Sequence, residues 1–209
     1  MYFNWKERLK MLKKSVLFLA ALAFSVSAAY AAPEVVGRND LTVDGSAFVY
    51  SDGGDNYAAV TGRLVHNVTE NVGVGVESGY YFGQEILDDT STDYGDLTGV
   101  PLMADVVVRY ANPSKFVPYG VLGLGAIFWN FDESSVVTDA GLTAKVDDSF
   151  AVKLAGGADW YLNEDWALNF ETGYVFANSD VTVAGGGAVA SATADVDHWL
   201  IGGGVKRLF

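Results

Sequence analysis

Between Val72 and Gly83 the chain reads VGVGVESGYYFG, with Val72, Val74, Val76, Tyr80 and Phe82 on alternate positions. Gly73, Gly75, Glu77, Gly79 and Gly83 fill the positions between them. A period of two is that of a pleated strand, whose successive side chains point to opposite faces. One face is therefore hydrocarbon and the other is glycine and charge.

The same alternation recurs along the chain. Leu41, Val43, Ala47 and Val49 oppose Thr42, Asp44 and Ser46, and Ala58, Val60, Gly62 and Leu64 oppose Thr61 and Arg63. Leu102, Ala104, Val106, Val108 and Tyr110 oppose Asp105 and Arg109. Phe150, Val152, Leu154, Ala158 and Trp160 oppose Lys153, Asp159 and Tyr161, and Trp166, Leu168, Phe170, Tyr174 and Phe176 oppose Asn169 and Glu171. In the last stretch Trp199, Ile201, Gly203, Val205 and Phe209 share one face, with His198, Gly202, Gly204, Lys206, Leu200 and Leu208 on the other. Phe116 to Asn130 is apolar on both faces, so alternation leaves its orientation open.

These stretches predict eight strands. Asp52 to Asp55, Asn67 to Asn71, Ala111 to Lys115 and Leu162 to Asp165 read as tight turns, whereas Gln84 to Thr98, Phe131 to Asp148 and Ser179 to Asp195 read as long loops. Short turns at one end and long loops at the other are the asymmetry of outer-membrane barrels, and closure removes the exposed edges. A soluble sandwich or cup would alternate in the same way but turn its apolar face inward. Volume decides between them: an eight-stranded barrel has room only for side chains, and these aromatics would overfill it. The expectation is an all-β, eight-stranded antiparallel transmembrane β-barrel with short periplasmic turns and long extracellular loops.

Aromatics support that reading. Tyr80, Phe82, Tyr174, Phe176 and Trp199 fall at the long-loop ends of their strands, and Tyr110, Phe116, Trp160, Trp166 and Phe209 at the short-turn ends. Two such girdles suit the headgroup levels of a bilayer.

The N-terminus reads as an export signal. Lys6, Arg8, Lys10, Lys13 and Lys14 precede an apolar run, Ser15 to Ala29, and a small-residue cleavage site at Ala29-Tyr30-Ala31. The expected organisation is a signal peptide over 1–31, a periplasmic lead over 32–40 and the barrel over 41–209. Losing that signal removes five basic residues and one acidic residue, which leaves 8 Lys and Arg against 25 Asp and Glu, a net charge near −17. Such a charge excludes nucleic acid as a partner.

The inner face collects Asp44, Glu77, Asp105, Asp159 and Glu171 against Arg63, Arg109, Lys153 and Lys206, with His198 near the outer mouth. In a narrow lumen each buried charge needs a partner, so an ion-pair ladder that plugs the barrel is expected ahead of a conducting path. No cysteine is present, which excludes thiolate chemistry, and no cofactor is expected. The acidic loops (Glu85, Asp88, Asp89, Asp93 and Asp96; Asp132, Glu133, Asp139, Asp147 and Asp148) lack calcium-loop spacing and read as solvated, so no metal site is expected. His198 with Asp195, Asp197, Ser179 and Ser191 nearby is the one arrangement that could support a lipid hydrolase. No His-x-Ser spacing occurs, and a non-enzymatic role is expected.

The phrases NVTENVGVGVESGYYFG, VPYGVLGLGAIFWN, LAGGADWYLNEDWALNFETGYVF and WLIGGGVKRLF resemble the small outer-membrane β-barrel superfamily that includes OmpW-like and OmpA-barrel proteins. The resemblance spans about Leu41 to Phe209. It implies an outer-membrane location in a Gram-negative bacterium, with membrane lipid and the barrel-assembly machinery as partners. Trp199, Ile201, Val205 and Phe209 match its terminal insertion signal, while Arg207 stands where an aromatic is usual. The OmpW-like resemblance implies a porin-like role, in which small hydrophobic solutes pass through a narrow lumen and out by a lateral opening in the wall. The OmpA-barrel resemblance implies instead a structural or adhesive barrel acting through its loops.

Overall fold

The computed structural model describes residues 32–50, 57–87 and 93–209. The export signal over 1–31, the turn at Asp52 to Asp55 and the loop acids Asp88 and Asp89 lie outside the described residues. Ten strands and one short helix follow in order: β1 (Asn39–Tyr50), β2 (Tyr57–Asn67), β3 (Val72–Leu87), β4 (Asp93–Arg109), β5 (Phe116–Glu133), α1 (Ser135–Asp139), β6 (Leu142–Val146), β7 (Ser149–Tyr161), β8 (Trp166–Gly185), β9 (Ala188–Asp195) and β10 (His198–Leu208).

Eight of them close a barrel. The antiparallel order runs β1, β2, β3, β4, β5, β7, β8, β10, and β10 pairs back onto β1 from Asp40↔Leu208 to Tyr50↔His198. Every strand of the wall therefore has two neighbours, which satisfies the backbone inside a bilayer. The hydrocarbon face is turned outward: Val76, Leu102, Val108, Leu154, Phe170 and Ile201 are each more than half exposed. Strand β5 obeys the same rule, with Leu122, Leu124 and Phe128 outside and Val117, Tyr119, Val121, Ile127 and Trp129 inside.

Several segments expected as loops are strand. β3 and β4 run on to Leu87 and from Asp93, and the glycine- and alanine-rich segment after Ser179 is a hairpin. Gly186 and Gly187 turn it with φ of 59° and 83°, the left-handed pair that a two-residue hairpin turn needs. Above the wall, β8 continues as the central strand of a sheet flanked by β6 and β9.

The segment before β1 folds across the short-turn end. A turn from Val35 to Arg38, closed by the Arg38 amide on the Val35 carbonyl at 3.0 Å, has Gly37 at φ 73°. It seats Val35 against Val117, Tyr161, Ala167 and Leu208.

Candidate functional site

The lumen carries a charged network toward the short-turn end and an apolar cluster toward the long-loop end. The division follows from strand parity, because each wall residue's height is set by register and its face by alternation.

In the middle, Lys153 of β7 places Nζ 2.5 Å from Glu77 Oε2 of β3 and 3.4 Å from Glu171 Oε1 of β8. Arg63 of β2 bonds Glu171 Oε2 and lies 3.8 Å from Glu77 Oε2. Tyr119 donates its hydroxyl to Glu171 Oε2 at 2.9 Å and accepts from Asn169 Nδ2 at 2.8 Å. Asn169 also donates to Asp159 Oδ1 at 2.7 Å, and Lys206 reaches Asp159 Oδ2 at 2.5 Å. Nearest the short turns, Arg109 Nη2 lies 2.8 Å from Asp40 Oδ2, and Asn67 bridges the same two residues. Lys206 Nζ also lies 3.9 Å from Asp40 Oδ1, so one connected network spans all eight strands of the wall. Desolvating charges this deeply costs several kcal/mol each, which these contacts offset only while every partner is in place.

Asp44 and Asp105 stand outside that accounting. They are 7% and 2% exposed, and Asp44 Oδ1 and both Asp105 carboxylate oxygens have no hydrogen-bond partner among the described residues.

Above the charges lies an apolar layer in which Phe48, Tyr81, Met103, Ile127, Trp129 and Leu200 pack together. Trp129 satisfies its buried indole N–H on Ser149 Oγ at 2.8 Å. His198 sits in this layer, its ring centroid 4.6 Å from Phe48 and its Nδ1 2.9 Å from the Val196 carbonyl. Its sequence neighbours are committed elsewhere: Asp197 accepts from the Ala177 amide and the Tyr174 hydroxyl, and Ser179 donates to the Asp147 carbonyl. Among the described residues, the hydrogen bonds of Asp197 and Ser179 thus go to groups other than the His198 ring.

Four polar members of the network, Asp40, Asn67, Tyr119 and Asn169, carry no emphasis in the sequence reading. Asp40 shares parity with Thr42 and Asp44, and Asn169 with Glu171, so the signal was the same alternation. Of the terminal residues, Ile201, Val205 and Phe209 are exposed on the outer wall, and Arg207 lies over the Trp166 ring at 5.4 Å.

The wall, its outward hydrocarbon and its charged interior can be set beside known proteins. The family model described as "Outer membrane protein beta-barrel domain" matches residues 16–206. The chain belongs to this outer-membrane β-barrel family. Outer membrane protein W of Vibrio cholerae is 29% identical over 223 residues, covering 93% of this chain and 100% of that protein. Outer membrane protein AlkL of Ectopseudomonas oleovorans is 25% identical, covering 90% of this chain and 80% of that protein. Among solved structures, OprG from Pseudomonas aeruginosa superimposes with a TM-score of 0.72 at 16% identity, covering 85% of this chain and 98% of that one. The outer-membrane barrel is thus OmpW-like in sequence and shares its fold with OprG.

Proposed function

We propose that this outer-membrane barrel takes up small, mostly apolar molecules through its extracellular mouth and releases them sideways into the bilayer. The carrying observation is the apolar cluster packed over a bridged ionic floor. Phe48, Met103, Ile127 and Leu200 offer a solute an apolar surface, while the Arg63, Lys153, Glu77 and Glu171 layer obstructs a straight path. A solute that cannot go down must go out through the wall.

Among the described pairings of the wall, the β3–β4 seam is the one with register shifts. Pairing leaves a gap between Ser78↔Leu102 and Tyr81↔Gly99, which share one register, and shifts by one residue to Gln84↔Leu97 across a bulge. Pro101 lies in the gap and has no N–H to give to the ladder. An N-terminal signal cleaved after Ala31 and insertion by the barrel-assembly machinery complete this reading.

Uptake of a radiolabelled alkane-like solute into liposomes carrying the protein tests it. Wild type should accelerate uptake over empty liposomes, and Met103→Arg, which places a charge in the apolar cluster, should abolish the gain. Equal uptake by empty and loaded liposomes would leave the second reading, a structural or adhesive barrel. The exposed β6–β8–β9 sheet favours that alternative.

A further inference from the structure

Between the ionic layer and the apolar cluster lies a void of about 20 Å³, bounded by Asp44, Ser46, Thr61, Glu77 and Glu171 below and beside, and by Tyr81 and Leu200 above. We propose that this void is a binding site for one dehydrated monovalent cation of sodium size, held by the Asp44 carboxylate with the Ser46 and Thr61 hydroxyls.

Three observations carry it independently of any transport role. The lumen is unbalanced: Asp40, Asp44, Glu77, Asp105, Asp159 and Glu171 face Arg63, Arg109, Lys153 and Lys206, two more acidic than basic side chains. The excess falls on Asp44 and Asp105, since the other four acids are engaged by Arg or Lys. Asp44 lines the void, is more than nine-tenths buried, and has an oxygen with no protein donor among the described residues.

The chemistry of the lining selects the ligand. Its polar side chains, Asp44, Ser46, Thr61, Glu77, Tyr81 and Glu171, present oxygen, the donor set of hard cations. A volume of this size takes a single water-sized particle. Calcium wants six to eight ligands and magnesium keeps its waters, so neither fits. A neutral water would give Asp44 hydrogen bonds but leave its charge uncompensated. The room beside Asp44 is kept by Gly204, the residue opposite it on β10, where a Cβ would stand 2.7 Å from Asp44 Cα.

The test uses the barrel purified from membranes in detergent and exchanged into buffers of equal ionic strength. Sodium is the cation in one buffer and N-methylglucamine, too large to enter, in the other. Thermal unfolding is followed by the heat-dependent shift in gel mobility. Wild type should unfold several degrees higher in sodium, with the gain saturating as sodium rises. Asp44→Asn should lose that gain, whereas Asp105→Asn, which does not line the void, should keep it. If Asp44→Asn does not fold, Ser46→Ala with ²³Na line-width measurements decides, with exchange broadening in wild type and weaker broadening in the variant. Identical midpoints in the two buffers, or an undiminished gain in Asp44→Asn, would overturn the site.

Discussion

Lys153 on β7 and Glu77 on β3, 76 residues apart in the chain, meet across the lumen with Nζ 2.5 Å from Oε2. Both side chains are almost fully buried, so each charge depends on the other. Lys153→Met should lower stability by about 3–5 kcal/mol, and the double variant Lys153→Met/Glu77→Gln should recover part of that loss, because removing one partner strands the other. Urea unfolding of the lipid-reconstituted barrel measures both, and a double variant no better than the single would contradict the coupling.

The outward face makes the opposite demand. Leu154, midway along β7, is half exposed toward hydrocarbon between Leu122 and Tyr174. Leu154→Arg should cost about 2–4 kcal/mol in bilayers, the penalty for a cation near the membrane midplane. The same substitution in a water-facing wall would be close to neutral, so urea titration in vesicles reports which side faces oil.

Two glycines separate close packing from free space. A Cβ on Gly204 would press on the Val43 carbonyl and stand 2.7 Å from Asp44 Cα, whereas Gly45 has nothing within 4 Å. Gly204→Ala should destabilise by about 1–3 kcal/mol through overpacking. Gly45→Ala should be neutral or stabilise by about 0.4–1 kcal/mol through the unfolded chain. Equal effects in a paired denaturation series would show that the wall yields at Gly204.

The strap across the short-turn end rests on Val35 more than on its ion pair. Arg38 and Asp165 lie 2.7 Å apart, but their side chains are 31% and 59% exposed, which limits the pair to about 1 kcal/mol. Seating a valine is worth about 1.5–3 kcal/mol. Val35→Asp should therefore speed proteolytic cleavage of the lead by at least about tenfold, and Arg38→Ala should change it little. Comparable acceleration in both would reverse the ranking.

Much of the fold is legible in the chain because a membrane barrel enforces its period-two rule on nearly every wall strand. Where the inner face is itself apolar the rule loses contrast. Ile127 and Trp129 pack in the inner apolar cluster while Leu122 and Phe128 face lipid, so β5 reads the same from both sides. The β8–β9 hairpin is hidden for a different reason: its alternating alanine, valine and threonine residues carry little amphipathic signal once they leave the membrane. Alternation assigns a face to Arg63, Glu77, Lys153 and Glu171, but which of them touch depends on the stagger between strands that are not neighbours in sequence. That stagger is a property of closure and has no local signature.

The twenty-residue β8 is held at its base by β7 and β10 and above the wall by β6 and β9. It is one continuous beam with a foot in the bilayer and a head in solvent. A load on the glycine tip at Gly186 and Gly187 would travel along its axis as shear on flanking ladders, where many hydrogen bonds resist together. A particle striking the exterior sheet would thus tug on the same rod that carries Glu171 and Asn169, mechanically joining the cell's surface to the charges inside the cylinder.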